Sequence, residues 1–115
     1  MQTMIRATNA YQQAATHRSI REQEADIFRH AIAALRTARG ADKMTRARAV
    51  ADNRRLWLTV HDLMSDPGNA LPPELRASIV SVGISVRREM EGENPDFGFL
   101  ISINEHMAAG LGSQD

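Results

Sequence analysis

The spacing of apolar residues between turn-forming residues is the feature that most restricts how this chain can fold. Apolar side chains recur every three or four residues in five stretches, which are separated by short breaks, most of them rich in Gly or Pro. That spacing puts the apolar side chains on one face of an α-helix, whereas a half-buried strand alternates them at every second residue. No stretch has convincing strand alternation, so the sequence predicts an all-α fold.

Residues that start or stop helices set the boundaries of the five predicted helices. Ser19 and Glu22 match a capping box, Gly40 is a helix terminator, and Pro73 suits a first helical turn. The predicted helices are Thr3–Ala15, Ser19 to about Ala38, about Asp42 to Ser65, Pro72 to Gly92, and one from Phe97 that Gly110 and Gly112 end. Because the breaks are short, consecutive long helices pack antiparallel. We therefore predict a compact bundle of four main helices plus a short N-terminal helix, as one domain over residues 1–115.

Each long helix has an apolar face that is expected to enter the core. The predicted faces are Ile20, Ile27, Phe28, Ala31, Leu35 and Ala38 in the second helix; Val50, Leu56, Trp57, Val60 and Met64 in the third; Leu75, Ile79, Val82, Val86 and Met90 in the fourth; and Phe97, Leu100, Ile103, Met107 and Leu111 in the fifth. Gly83 lies near the fourth face, where the lack of a side chain allows a neighbouring helix to approach closely.

The stretch Asn53-Arg54-Arg55-Leu56-Trp57 sets polar residues beside the only tryptophan of the sequence. At about 100° per residue, Asn53 falls in the middle of the apolar face, Arg54 at its edge and Arg55 in water. A buried amide without a partner costs about 1–3 kcal/mol. Asn53 is therefore expected either to hold the Pro67–Leu71 loop or to contact a ligand.

Two further polar residues fall on apolar faces. Asn104 lies between Leu100 and Met107, and Glu24 projects onto the face of the second helix. A carboxylate near a core edge requires a cation, which Arg54 or Arg76 can supply. We predict an internal polar layer that fixes the register of the bundle, made of Glu24, Asn53, Arg76 and Asn104.

Several apolar residues lie away from the predicted core faces. Leu58 does so in the third helix, Val80 and Ile84 in the fourth, and Phe99 in the fifth. Either each helix contacts two neighbours, or these residues form a groove for a partner. The candidate partner-binding residues are Arg54, Arg55, Leu58, Val80, Ile84 and Phe99.

The residue types that carry most catalytic chemistry are missing or scattered. There is no cysteine, the four histidines have no metal-binding spacing, and no glycine-rich phosphate loop occurs. We expect no enzyme, no metal and no cofactor. No run of about 18 apolar residues is present, and the first residues do not resemble a signal peptide, so a cytoplasmic protein without membrane insertion is expected.

Charge is unevenly distributed along the chain although the net charge is zero. Residues 1–64 hold 11 Lys and Arg against 6 Asp and Glu, and residues 65–115 hold 3 against 8. This asymmetry is consistent with an anionic partner for the first half, or with attraction between the two halves. The second interpretation is favoured, because a nucleic-acid-binding domain usually carries a net positive charge.

Four segments, taken in their order along the chain, resemble the flagellar biosynthesis regulator FlaF family. They are "REQEADIF" at Arg21–Phe28, "NRRLW" at Asn53–Trp57, "NALPPELRASI" at Asn69–Ile79 and "LISINEHMAAGL" at Leu100–Leu111. "NAYQ" at Asn9–Gln12 resembles the start of that family, and the order and the length of the chain agree with it. Ser85 departs from the resemblance, since the family often has a bulkier apolar residue near this position.

The resemblance implies a small cytoplasmic protein that promotes flagellin synthesis and secretion, acting opposite an FlbT-type repressor of flagellin translation. One way to do so is to bind flagellin as an export chaperone, with an amphipathic segment of flagellin in an apolar groove. Two alternatives remain open. The first is an RNA-binding regulator of flagellin messenger RNA, which the basic residues between Arg36 and Arg55 would serve. The second is an adaptor that docks on the repressor.

Overall fold

The computed structural model of this chain describes residues 24–112. Within that range every regular element is an α-helix: α1 occupies residues 24–38 as far as it is described, α2 is Lys43–Ser65, α3 is Pro73–Glu91 and α4 is Phe97–Gly112. The predicted all-α fold with four main helices is confirmed. The predicted short helix Thr3–Ala15 and the capping box at Ser19 lie outside the described residues.

Local signals set the helix boundaries. Gly40 has a φ of +82°, a left-handed conformation that glycine adopts without strain, and it lies two residues after the end of α1. Asp42 caps α2 by accepting a 2.8 Å hydrogen bond from the backbone N–H of Thr45 to its Oδ1. Pro73 occupies the first position of α3, where its missing N–H costs nothing. These boundaries agree with the predicted ones because each depends only on residues close in sequence.

Helices α2 and α3 pack antiparallel along their length. Asn53 contacts Met90 near the end of α3, whereas Trp57, one turn further along α2, lies against Gly83. A Cβ atom at Gly83 would lie 3.4 Å from Cε3 of Trp57, so the indole ring packs almost directly on the α3 backbone. The predicted close approach at Gly83 is therefore present, and its partner is the tryptophan.

The core is built around Trp57, Leu35, Val86 and Leu100, each with no exposed side-chain surface. The ring of Phe28 meets the indole of Trp57 edge to face, with 6.1 Å between centroids. Further buried residues that join this cluster come from all four helices: Ile32, Ala38, Ala49, Val50, Val60, Met90, Phe97, Ile101 and Ala108. Helices α1 and α2 are thus joined to α3 and α4 through one continuous apolar cluster.

Three residues assigned to core faces from the sequence are exposed instead. Ile27 retains 53% of its surface, Leu75 39% and Val82 36%. In α1 the buried positions are Ala25, Phe28, Ile32, Leu35 and Ala38, a stripe that turns Ile27 outward. The prediction for Ile27 was wrong because Ile27 and Phe28 are about 100° apart, and packing against Trp57 selects the phenylalanine.

Candidate functional site

A chain of buried side-chain hydrogen bonds links α2, α3 and α4. Nε1 of Trp57 donates to Oδ1 of Asn104 at 2.9 Å, and Nδ2 of Asn104 donates to Oδ1 of Asn53 at 2.7 Å. Nδ2 of Asn53 then donates to Sδ of Met90 at 3.3 Å. Both asparagines and the tryptophan are fully enclosed. No group of this network reaches the surface, so its role is to hold three helices in one register.

This network differs from the predicted polar layer. Asn53 does not hold the Pro67–Leu71 loop; Asn69 does so itself, since its Nδ2 donates to the Leu63 carbonyl at 2.8 Å and its Oδ1 accepts from the Leu71 N–H at 2.9 Å. The loop is held locally because Asn69 lies within it, whereas Asn53 lies three turns away on α2.

Glu24 and Arg76 are not members of the network. Arg76 is half-buried near the start of α3, and its Nη1 approaches the Asp66 carbonyl at 3.5 Å, at the opposite end of α3 from Met90. Glu24 is half-buried, and among residues 24–112 no ion pair joins it to Arg54 or Arg76. Because α2 and α3 are antiparallel, Asn53 meets the end of α3 and Arg76 lies at its start, far from the network. The spacing of residues within a single helix does not predict this separation.

Two adjoining cavities form an apolar groove on the surface of the bundle. One of about 360 Å³ lies between α1 and α2, and the other of about 400 Å³ lies between the end of α2, the start of α3 and the end of α4. The two share the side chains of Glu24, Leu63, Met64 and Met107. We call this combined feature the apolar groove.

The apolar groove is lined by side chains that the fold leaves exposed. Ile27 contributes to the first cavity, Leu75 to the second and Leu63, which is 44% exposed, to both. Two half-buried methionines, Met64 and Met107, lie between them, and their unbranched side chains adapt to differently shaped partners. Ile27 and Leu75 therefore line the apolar groove instead of belonging to the core.

A third cavity, of about 630 Å³, lies between the first half of α2 and the α3–α4 loop. Lys43, Arg46 and Arg54 line it together with Glu93, and its wall includes Phe97. The guanidinium of Arg46 lies 5.2 Å from the centroid of the Phe97 ring, a cation–π contact. We call this feature the cationic pocket.

The candidate partner-binding residues are distributed over different surfaces. Arg54 lines the cationic pocket, and Arg55 lies on the rim of the apolar groove, with its Nη2 3.8 Å from Oδ1 of Asp52. Leu58, Ile84 and Phe99 are exposed and Val80 is half-buried, yet none of these four lines either feature. The exposure of Ile27, Leu63 and Leu75 was not predicted from the sequence. Ile27 and Leu75 were assigned to core faces, and Leu63 was assigned to neither a core face nor the partner-binding set.

The described part of the chain contains no group of three or more His, Asp or Glu residues placed to hold a metal ion. Asp42 has a pKa below its ordinary value, because its carboxylate accepts the hydrogen bond from Thr45. That carboxylate caps a helix and lies outside both the apolar groove and the cationic pocket. Across residues 24–112, no helix combines the length and the apolar character that crossing a membrane requires.

The fold and its surface define a class: a small all-α protein whose accessible features are an apolar groove and a cationic pocket between helices. Residues 7–111 match the family model described as "Flagellar protein FlaF", and the chain belongs to this family of flagellar proteins. The match covers nearly the whole chain, including all four described helices except the last residue of α4. No curated protein and no solved structure matches the chain.

Proposed function

We propose that this protein promotes flagellin synthesis or secretion by binding an α-helical segment of flagellin in the apolar groove, as an export chaperone. The observation that supports this proposal most directly is the groove, in which Ile27, Leu63 and Leu75 keep large exposed fractions. A flagellar protein with such a groove requires a partner of complementary chemistry, and an amphipathic helix presents one apolar side chain per turn to a groove of this kind.

The composition of the groove favours an apolar interface over an electrostatic one. Apolar side chains line most of it, and its charged members Glu24, Asp52 and Arg55 include both signs. Opposite charges at a rim influence orientation and the rate of association more than affinity. The binding constant is therefore expected to vary weakly with salt concentration.

The arrangement of arginines supports a protein partner over RNA. Arg36 pairs with Glu105 on α4, Arg55 lies beside Asp52, and Arg46 donates to Asn94. An RNA-binding surface without base specificity combines a cationic track with exposed aromatic side chains. Here Trp57 is enclosed and Phe97 is 5% exposed, so neither ring offers a stacking surface, and the exposed ring of Phe99 does not line the cationic pocket. Docking on an FlbT-type repressor is a second use to which the same groove is suited.

Calorimetric titration of the purified full chain with synthetic peptides from the terminal helices of flagellin tests the proposal. We expect saturable binding, and we expect Leu63→Glu to weaken it at least tenfold, since a carboxylate would enter the apolar groove. Leu58→Glu is the matched control, because Leu58 is equally exposed on the same helix but lies outside the groove. Binding that Leu58→Glu reduces as strongly as Leu63→Glu would place the partner elsewhere, and no binding at all would reject the proposal.

A further inference from the structure

We propose that the cationic pocket is a second binding site, independent of the apolar groove, and that it takes a carboxylate from an acidic segment of a partner protein. The pocket is formed mainly by one face of α2, because Lys43, Arg46, Ala47, Val50 and Arg54 recur at three- and four-residue spacing. The α3–α4 loop closes the other side. The two features share no lining residue, so a partner can occupy one and leave the other free.

Within residues 24–112 the three cations of the pocket form no ion pair. The arginines that form ion pairs in this part of the chain are Arg29, Arg36 and Arg55, and none of them lines the pocket. Glu93 is the carboxylate among the lining residues, and it forms no ion pair with any of the three cations. Three cations and one carboxylate line the cavity, so its lining is net positive and attracts an anion.

Arg46 is held in position before any ligand arrives. Its Nη2 donates to Oδ1 of Asn94 at 3.0 Å, its guanidinium packs over Phe97, and its Nε is buried without a hydrogen-bond partner among the described residues. Arg54 is positioned by a weaker contact, 3.5 Å from its Nη2 to the carbonyl of Met90. A preorganised guanidinium loses little side-chain entropy on binding, and its planar shape suits a carboxylate.

The walls of the pocket favour a peptide over a nucleic acid. Ala47, Val50 and Pro95 provide apolar surface beside the cations, which suits the aliphatic part of a glutamate and its neighbouring residues. A nucleic acid would need a row of cations along its phosphates and an open ring for a base. The cations instead converge on one cavity, and Arg46 covers a Phe97 ring that is already enclosed.

Nuclear magnetic resonance titration of the isotope-labelled full chain tests this inference. The probe is an acetylated and amidated hexapeptide of alternating glutamate and alanine, with a counterpart in which glutamine replaces glutamate. We expect saturable shifts at the amides of Arg46, Asn94 and Phe97 with the glutamate peptide, weakening as salt is added. The double variant Lys43→Gln and Arg54→Gln should lower the affinity about tenfold, since two charge-assisted contacts are removed.

The control variant is Arg48→Gln, which removes an exposed cation from the same helix but outside the pocket. Its affinity for the glutamate peptide should equal that of the unmodified chain. Equal weakening by Arg48→Gln, equal shifts with the glutamine peptide, or no saturable shift would each overturn the inference. Tighter binding of a single-stranded oligouridylate at the same amides would also overturn it and would identify a nucleic-acid site. Flagellin peptides are titrated separately, so failure of the groove proposal leaves this result unaffected.

Discussion

Asn104 of α4 donates a 2.7 Å hydrogen bond to Asn53 of α2, and both side chains are fully enclosed by the bundle. The pair lies 51 positions apart in sequence. Each amide has a further partner, Trp57 for the oxygen of Asn104 and Met90 for the nitrogen of Asn53. This arrangement permits one rotational setting of α2 against α4, because rotating either helix would leave buried polar groups without partners.

Replacing Asn104 with alanine should destabilise the protein strongly. The change leaves the indole N–H of Trp57 and the Oδ1 of Asn53 buried without partners, and each such group costs about 1–3 kcal/mol. We expect the free energy of unfolding to fall by about 2–5 kcal/mol, measured by denaturant titration. A loss below about 1 kcal/mol would mean that water or a rearranged side chain replaces the network.

Asn104→Asp should lower the free energy of unfolding by an amount that depends on pH. The substitution keeps an acceptor for Trp57, but the ionised carboxylate has no donor for Asn53, and burial raises the pKa of the new carboxyl group above its unfolded value. The folded variant therefore binds more protons than the unfolded chain above about pH 4, so its stability falls as the pH rises from there through the raised pKa. Denaturant titrations between pH 4 and 8 check this; a deficit that does not change with pH would contradict the buried position.

The contact between Gly83 and Trp57 predicts opposite effects for two substitutions. A methyl group at Gly83 would lie 3.4 Å from the indole, an ordinary van der Waals distance, and alanine favours a helix by about 1 kcal/mol over glycine. Gly83→Ala should therefore preserve or raise the melting temperature. Gly83→Val adds atoms that meet the ring and should lower the free energy of unfolding by about 1–3 kcal/mol. Equal destabilisation by both would show that even a methyl group does not fit.

The two isoleucines of α1 provide a direct check of which face of that helix is buried. Ile32 is 7% exposed and Ile27 is 53% exposed. Ile32→Ala should lower the free energy of unfolding by about 2–5 kcal/mol, the usual cost of a core truncation. Ile27→Ala should cost under about 1 kcal/mol, since this side chain is already largely exposed to water and its truncation removes less buried apolar area. The reverse order, measured by thermal or chemical unfolding, would mean that α1 is rotated.

The cap at Asp42 should make stability depend on acidity. Its pKa is lowered in the folded protein by the hydrogen bond from Thr45, so the stabilisation is present above the unfolded pKa and is lost as the pH falls through the folded value. Asp42→Asn keeps a capping oxygen without the charge. The difference in unfolding free energy between the two proteins should shrink when the pH is lowered below about 4. A constant difference would contradict a charge-dependent cap.

Helix boundaries could be predicted from the sequence because each depends on a few adjacent residues. Gly40, Asp42 and Pro73 act through φ, a side-chain acceptor and a missing N–H, and none of these needs a distant partner. The same periodicity put Asn53 and Asn104 on apolar faces, where both asparagines are found buried. The position of a residue on its own helix is a local property, so it can be predicted from spacing alone.

Which residues contact each other and which remain exposed, in contrast, depended on how the helices are rotated against each other. Asn53 meets Asn104 and Met90 instead of the nearby loop, and Ile27 turns outward because Phe28 packs on Trp57. The apolar groove exists only once α1, α2, α3 and α4 are assembled, since each contributes part of its wall. The sequence by itself therefore determined an all-α chain with its helix ends. Only tertiary packing, which adjusts helix rotation to fill volume and satisfy buried polar groups, decided which apolar side chains became core and which became surface.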